Sequence, residues 1–189
     1  MTELRQTYTV EVAGLRRELP LFEVAPGVKI AIVNILGDNE LVQAAAHDLG
    51  QRLADRRPEV IVTAETKSIP LAFAMSLFMK IPYVVLRKQY KSYMGNAVMA
   101  ETLSITTGAP QTLYLDEKDQ PLLKGRRAVL VDDVISTGST LQGMRIIMGK
   151  VGAEVVAQAA IFTEGDRAKW TEIVALNHLP VFVEPADKK

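Results

Sequence analysis

Two adjacent acidic residues, followed by a loop rich in hydroxyl groups, carry the clearest chemical signal in this chain. Asp132 and Asp133 come directly after the apolar run 129–131, which is typical of a strand buried on both faces. A loop of small residues follows, and it consists of Ser136, Thr137, Gly138, Ser139 and Thr140. Because a helical spacing of apolar residues begins here, backbone N–H groups, hydroxyls and the helix dipole can bind a phosphate. The two carboxylates can accept hydrogen bonds from vicinal hydroxyls, so the combination predicts a site for a ribose 5-phosphate.

Two other interpretations of this stretch are weaker. An acidic pair can hold a metal ion in a nucleotide triphosphatase, but the sequence contains no G-x-x-x-x-G-K-[ST] phosphate loop. The stretch could also be an ordinary turn between a strand and a helix. Such a turn needs one hydroxyl residue to cap the helix, whereas this loop has four, with a glycine among them.

The composition narrows the class of protein. A chain of 189 residues is long enough for one well-buried domain, predicted to span 1–189, and 48% apolar with 23% charged residues fits a soluble globular protein. The 22 basic and 22 acidic residues balance, which argues against nucleic acid or an anionic membrane as the main partner.

The sequence has no cysteine, which excludes disulfides and cysteine-based metal sites. It also has no apolar signal core and no run near the roughly 18 apolar residues that span a bilayer, so we expect a cytoplasmic protein.

The elements that position this site alternate along the chain. Apolar, β-branched runs predict strands at 29–36, 59–63, 82–86, 113–115, 127–131, 154–163 and 180–183. Amphipathic spacing predicts helices from Asp38 or Asn39 to about 54, at 70–79 and at 139–151. Residues 87–111 are polar and irregular and predict a long flexible loop, and 184–189 predict a disordered tail. Alternation of strands and helices indicates an α/β fold with a parallel sheet and ligands at the carboxyl ends of its strands.

The apolar strand, the acidic pair and the Thr-Gly-Ser-Thr loop resemble the signature of the type I phosphoribosyltransferases, and the likeness covers roughly residues 20–183. The resemblance implies a three-layer fold, with a parallel sheet flanked by helices, a small N-terminal hood (1–37) and a flexible loop (87–111). It also implies that the loop 136–140 binds the 5-phosphate of phosphoribosyl pyrophosphate (PRPP), while Asp132 and Asp133 bind the ribose hydroxyls and act in catalysis.

A second polar loop follows the predicted strand 59–63 and is placed as the family's pyrophosphate loop. It contains Glu65, Thr66, Lys67 and Ser68. Purine enzymes of the family typically have an acid, a small residue and then Arg-Gly, so Lys67 and Ser68 depart from that pattern. Lysine keeps the positive charge but loses the bidentate fork of arginine. We predict that this loop binds diphosphate and that Lys67 is catalytic; taken alone, the peptide could be only a polar turn.

The flexible loop begins with basic residues, which the resemblance assigns to the diphosphate as well. Arg87, Lys88 and Lys91 are predicted to move in over PRPP, bring positive charge and exclude water. The alternative is a solvated basic hairpin. Magnesium is expected from the charge of the diphosphate leaving group, held mainly through PRPP and water, and we predict no protein residue as a metal ligand.

The purine-binding part of the predicted site departs most from the family pattern, although the chain most resembles the adenine and xanthine enzymes. Val33 and Asn34 stand where adenine enzymes carry an Arg-Asp pair, and Thr106 stands where they usually carry a glutamate. An asparagine amide can pair with an oxopurine or an aminopurine, so it does not choose between them. Phe162 could stack on the base, although a phenylalanine at a strand end is more often a core residue. Asn34 and Phe162 are the predicted base-binding residues.

These features predict an enzyme that transfers the phosphoribosyl group of PRPP to a purine base, giving a nucleoside 5′-monophosphate and diphosphate. Glu101 and Glu164 are the candidates for an acid or base. Two alternatives stay open, namely a regulatory protein that binds PRPP or a nucleotide without transfer, and transfer to a base other than a purine. We expect a homodimer, because dimers are common in this family.

Overall fold

The computed structural model describes residues 6–103 and 110–183. Its three α-helices are α1 (Asn39–Leu53), α2 (Ile69–Met79) and α3 (Ser139–Val151). The strands up to the middle of the chain are β1 (Thr7–Val12), β2 (Leu15–Ala25), β3 (Val28–Ala31), β4 (Val60–Ala64), β5 (Tyr83–Leu86) and β6 (Val98–Leu103). The remaining strands are β7 (Pro110–Leu115), β8 (Arg127–Ile135), β9 (Glu154–Glu164), β10 (Val174–Leu179) and β11 (Phe182–Val183). Short 3-10 turns lie at Ala54–Arg56, Ser92–Met94, Glu117–Leu122 and Arg167–Trp170.

A five-stranded parallel sheet, in the order β10-β9-β8-β4-β5, forms the centre of the molecule. Every residue of β4 is buried, as expected of a strand covered on both faces. Apolar residues of α1 and α2 form one core against one face of this sheet. Those of α3 form a second core, together with residues of β6 and β7, against the other face. The predicted three-layer α/β fold with a parallel sheet flanked by helices is confirmed.

The hood is an antiparallel sheet in the order β1-β2-β3-β11, so a C-terminal strand completes it. Arg17 of β2 fastens this sheet to α1: its Nε lies 2.7 Å from one carboxylate oxygen of Asp38, and its Nη2 lies 2.9 Å from the other. Asp38 also accepts a hydrogen bond from the backbone N–H of Leu41, as the predicted helix cap should. The hydrogen bond from Arg17 is the main reason that the pKa of Asp38 is lowered.

The segment 87–111, predicted as one irregular loop, contains regular structure. Strands β6 and β7 pair as an antiparallel ribbon, in which Val98 lies opposite Leu115. The ribbon packs on α3, and Ala100 and Leu113 are buried there. Its alternating pattern is weak in the sequence because the inward positions of β6 are a small or polar residue as often as a large apolar one.

Other elements also differ from the prediction, and the hood strands β1 and β2 were not predicted. β8 continues to Ile135, so Asp132 and Asp133 lie within the strand and not after it. β10 was not predicted, because its sequence mixes apolar residues with Asn177 and His178. The predicted strand 29–36 pairs only as far as Ala31 and belongs to the hood.

In the described residues, no helix has the length and apolar character needed to cross a membrane.

Candidate active site

The carboxyl ends of β4 and β8 lie side by side, because these strands are parallel neighbours in the central sheet. A cavity of about 210 Å³ opens at this edge. The residues that line it include most of those predicted for the diphosphate and the ribose, together with Thr140, which was predicted for the 5-phosphate. The predicted diphosphate and ribose residues among them are Glu65, Thr66, Lys67, Ser68, Lys88, Asp132 and Asp133. Two loops that are more than 60 residues apart in the sequence therefore meet at one site.

The acidic pair is held to the loop after β4 by one serine hydroxyl. Oγ of Ser68 lies 2.5 Å from Oδ1 of Asp132 and 3.2 Å from Oδ1 of Asp133. The backbone N–H of Asp133 donates to the same Oγ over 2.9 Å and lies 3.0 Å from Oδ1 of Asp132. Desolvation by burial raises the pKa of Asp132 from 3.8 to about 7, and the negative charge of Asp133 acts in the same direction. The pair therefore carries less than two full negative charges when it is alone at neutral pH.

Asp132 should make the stability of the fold depend on pH. The folded state keeps a proton on this carboxyl up to about pH 7, whereas an unperturbed carboxyl loses it near 3.8. Because the folded state binds more protons between these values, stability is highest below them and falls as the pH rises through 7. We expect Asp132→Asn to raise the free energy of unfolding at pH 8, with a gain that shrinks towards pH 4. Urea unfolding at both pH values checks this, with Asp55→Asn, an exposed carboxyl on the Ala54–Arg56 turn, as the control.

The loop 136–140, which was predicted to bind a phosphate and is called the phosphate loop below, crosses from β8 into the N-terminus of α3. Gly138 caps this helix with a φ of +78°, a left-handed conformation that glycine adopts without steric cost. The hydroxyls of Thr137 and Ser139 lie 3.1 Å apart, and the N–H of Ser139 points towards the Thr137 hydroxyl at 3.4 Å. The residues 136–140 all line a small hollow of about 30 Å³. Hydroxyls, backbone N–H groups and the positive end of the helix dipole thus converge at one point, as an anion site requires.

The loop 65–68, which was predicted to bind diphosphate and is called the diphosphate loop below, directs its charged side chains to different partners. Nζ of Lys67 donates a hydrogen bond of 3.2 Å to the carbonyl oxygen of Val33, which precedes the predicted base-binding residue Asn34. The carboxylate of Glu65 accepts from the guanidinium of Arg87, and it also accepts from the backbone N–H of Lys88 over 2.8 Å. The hydrogen bond that Arg87 donates to Glu65 is the main reason that the pKa of Arg87 is raised. The guanidinium is therefore paired within the protein, while Lys67 and Lys88 line the cavity.

Two of the residues predicted to bind diphosphate, Arg87 and Lys91, do not line this cavity. Lys91 is exposed and precedes the Ser92–Met94 turn. Met94, which is completely buried, anchors that turn, and Glu117 binds the backbone N–H of Asn96 over 2.8 Å.

The two predicted base-binding residues differ in their exposure to solvent. Asn34 is exposed after β3, and its side-chain oxygen accepts a hydrogen bond of 3.3 Å from the N–H of Leu36. Phe162 is 0% exposed and packs in the core of the α1–α2 face, because its strand continues between two neighbours. Its ring offers no surface to a ligand, so the predicted stacking role is corrected to a core role. Thr106 and the rest of 104–108 lie outside the described residues.

Sequence reasoning missed the segment that follows β9. The indole N–H of Trp170 donates to the carbonyl oxygen of Glu164 over 2.9 Å, and its ring lies over Gly138, 3.0 Å from where a Cβ would be. His178 binds the hydroxyl of Thr163 over 2.9 Å and the carbonyl oxygen of Gly165 over 3.0 Å, which fixes the start of the same segment. Burial raises the pKa of Glu164. The single tryptophan of the chain was the available signal, but nothing in its spacing linked it to the phosphate loop.

Comparison with known proteins identifies the family. The model of the phosphoribosyl transferase domain matches residues 33–183. A hypoxanthine/guanine phosphoribosyltransferase of Methanococcus voltae is 36% identical over 136 residues, which cover 71% of this chain and 68% of that protein. The purine biosynthesis transcriptional repressor PurR of Bacillus subtilis is 27% identical over 132 residues, which cover 70% of this chain and 46% of the repressor. The chain thus spans about half the length of the repressor and about two thirds of the length of the Methanococcus enzyme.

Solved structures show the same fold. The adenine phosphoribosyltransferase of Thermoanaerobacter pseudethanolicus superimposes with a TM-score of 0.66 at 18% identity, over 92% of this chain and 95% of that one. The fold, the two loops and the sequence match agree. This chain belongs to the phosphoribosyltransferase family, as the acidic pair and its loop predicted.

Proposed function

We propose that this chain transfers the phosphoribosyl group from PRPP to a purine base, giving a nucleoside 5′-monophosphate and diphosphate. The observation that carries the proposal is the meeting of three anion- and hydroxyl-binding features at one sheet edge. These are the acidic pair, the phosphate loop at the N-terminus of α3, and the loop that carries Lys67. Asp132 lines both the hollow of the loop 136–140 and the cavity of Lys67, as the ribose of PRPP joins its 5-phosphate to its diphosphate.

The proposed reaction breaks the bond between C1 of the ribose and the diphosphate oxygen. A ring nitrogen of the purine supplies the electron pair of the new bond, diphosphate leaves with the electrons of the old one, and the purine proton passes to solvent or a nearby acceptor. Positive charge grows on the ribose as the bond breaks. Asp132 and Asp133 would hold the ribose hydroxyls and stabilise that charge, while Lys67 would exchange the carbonyl of Val33 for a diphosphate oxygen.

Magnesium belongs to the proposal as a companion of the diphosphate. Within 6–103 and 110–183, no three histidine, aspartate or glutamate side chains gather as ligands of a metal ion. The cavity instead combines carboxylates with Lys67 and Lys88, which suits an anion that brings its own cation. Bound there, magnesium would neutralise part of the charge on the leaving group. The residues of the chain would position the substrate around it.

The acceptor is proposed only as a purine. The sequence relatives include hypoxanthine/guanine enzymes, and the structural neighbours include adenine enzymes. The exposed amide of Asn34 can turn to match either kind of purine edge. Its neighbour Val33 contacts Lys67, so the purine-binding and diphosphate-binding parts of the proposed site are adjacent.

A regulatory function is the second candidate, since the PurR repressor is among the relatives. Such a protein would bind PRPP or a nucleotide at the same edge of the sheet without transferring the phosphoribosyl group. The pairing of Arg87 with Glu65 favours this alternative, because it withdraws one positive charge from the cavity. The two candidates differ in turnover and not in PRPP binding.

The test is diphosphate release from PRPP and Mg²⁺ with adenine, hypoxanthine, guanine, xanthine and uracil in turn. Release that depends on one or more of the purines is expected. Release with uracil alone would replace the purine assignment with transfer to another base. Measurable PRPP affinity with no release on any base would favour the regulatory candidate.

Lys67→Ala is expected to lower kcat by about 10- to 100-fold, because a charged hydrogen bond to the departing diphosphate is lost. In a regulatory protein the same change would leave nucleotide binding largely intact. The assay is steady-state diphosphate release, with Lys124→Ala, an exposed lysine outside the cavity, as the matched control. Equal activity of Lys67→Ala and the unchanged chain would remove Lys67 from the diphosphate site.

The proposal includes a homodimer formed through α2. This helix exposes a row of large apolar side chains, Phe73, Leu77 and Phe78, beside an apolar groove of about 550 Å³ shared with α1. Because α2 begins directly after Ser68, a second copy on this face would lie close to the diphosphate loop. Sedimentation equilibrium should give a dimer for the chain and a monomer for Leu77→Asp. A monomeric unchanged chain would contradict this part of the proposal.

A further inference from the structure

Ser68 does not behave as the helix cap that its position suggests. It occupies the N-cap of α2, where a serine hydroxyl ordinarily accepts a hydrogen bond from an N–H group of the first turn. Within the described part of the chain, its hydroxyl makes no such bond. The side chain is 2% exposed and turns to Asp132 and Asp133 of β8 instead. A buried hydroxyl that leaves its own helix for two carboxylates points to a role other than helix stability.

The hydrogen bonds fix the orientation of the Asp132 carboxylate. A serine hydroxyl has one proton, and the shorter contact, 2.5 Å to Oδ1 of Asp132, takes it. Its oxygen accepts the N–H of Asp133 over 2.9 Å, and that N–H also lies 3.0 Å from Oδ1 of Asp132. Both of these hydrogen bonds fall on Oδ1 of Asp132, which holds its carboxylate in one orientation at the edge of the cavity.

We propose that Ser68 is a positioning residue for PRPP, which holds the Asp132 carboxylate in place for a ribose hydroxyl and connects the loop 65–68 to the ribose site. The proposal rests on the function proposed above and adds a residue that acts through Asp132. Lys67 directly precedes Ser68, and both residues line the cavity. Two adjacent residues therefore connect the proposed diphosphate contact with the proposed ribose contact. A ribose bound at the acidic pair and a diphosphate bound at Lys67 would thus be held at a set separation.

Charge in the cavity gives Ser68 a second measurable effect. Its hydrogen bond lowers the pKa of Asp132, against the burial and the charge of Asp133, which raise it. The other charged groups that line the cavity are Glu65, Lys67, Lys88 and Asp133. Because Ser68→Ala alters none of these groups, the titration of Asp132 should move to higher pH when the hydroxyl is removed.

The test compares PRPP affinity, by calorimetry with Mg²⁺, and the titration of the Asp132 carboxyl, by carbon NMR. Ser68→Ala is expected to weaken PRPP binding about tenfold at pH 7 and to raise the pH at which Asp132 titrates. Ser68→Thr, which keeps the hydroxyl, should restore both. Ser76→Ala is the matched control, because it removes another hydroxyl of α2, which binds the carbonyl of Ile81 over 2.7 Å, away from the cavity. It should change neither quantity.

A double variant keeps the test valid if Ser68→Thr does not fold. In an Asp132→Ala background, Ser68→Ala should change PRPP affinity by less than about twofold, since the oxygen to which Ser68 donates is gone. Unchanged affinity and titration in Ser68→Ala would overturn the inference, and so would weaker binding with an unmoved Asp132 titration. An unchanged chain that binds no PRPP would overturn the proposed function itself, which separates the two failures.

Discussion

Asp133→Asn is expected to reduce kcat/KM for PRPP by roughly 100-fold, a larger effect than we expect from any other single substitution. The amide has nearly the same shape as the carboxylate, but it carries no charge, and half of it is a hydrogen-bond donor. A ribose hydroxyl that donates to the carboxylate would lose its partner. The growing positive charge on the ribose would lose one negative charge of the acidic pair in the same step. Steady-state diphosphate release at saturating base measures the loss.

The control for this prediction is Asp55→Asn, which removes the same charge from an exposed residue at the far end of α1. It should leave kcat/KM within about twofold of the unchanged chain. Asp133 is 8% exposed and its N–H is bonded to Ser68, so circular dichroism must show that the variant is folded. A folded Asp133→Asn protein with full activity would mean that the acidic pair does not bind the ribose.

Gly138→Ala should raise KM for PRPP by about 10- to 100-fold and lower the free energy of unfolding by about 1–2 kcal/mol. The φ of +78° is costly for any residue with a Cβ, and the new methyl would lie 3.0 Å from the ring of Trp170. The loop that would hold the 5-phosphate must move to remove both the backbone strain and the contact with Trp170. The loss should therefore appear in PRPP binding more than in the rate of the bound complex.

Gly149→Ala provides the matched control in the same helix. Gly149 has ordinary helical geometry, and a Cβ there meets nothing within 4 Å. Alanine favours a helix interior, so this variant should gain about 0.5–1 kcal/mol of stability and keep its KM. Gly138→Ala with an unaltered KM would show that the loop is not the phosphate site. The same loss in both variants would show that helix α3, and not the conformation of Gly138, is responsible.

The part of the fold that follows from hydrophobic pattern was predictable. β4, β8 and β9 are buried apolar runs, and the alternation with helices indicated the parallel sheet and its ligand-binding edge. β6 and β10 were not recognised, because small and polar residues occupy many of their positions and their partners are distant in the sequence. Pairing of that kind depends on tertiary contacts that local propensity does not encode.

The candidate site, like the fold, was predictable only in part. Asp132 and Gly138 were found because acidic pairs and hydroxyl-glycine loops have a recognisable chemistry in sequence. The direction of a side chain is not recognisable in that way. Ser68 was expected to face diphosphate and faces the acidic pair, and Phe162 was expected to face the base and is buried in the core. The contact of Trp170 with the phosphate loop joins residues whose spacing follows no local rule.

A crystal structure of the chain with PRPP and Mg²⁺ would test the proposed substrate site most directly. We expect the 5-phosphate in the loop 136–140, the ribose hydroxyls on Asp132 and Asp133, and the diphosphate beside Lys67. Well-defined PRPP density at another place would contradict the proposed site. So would a ribose whose hydroxyls do not reach the acidic pair.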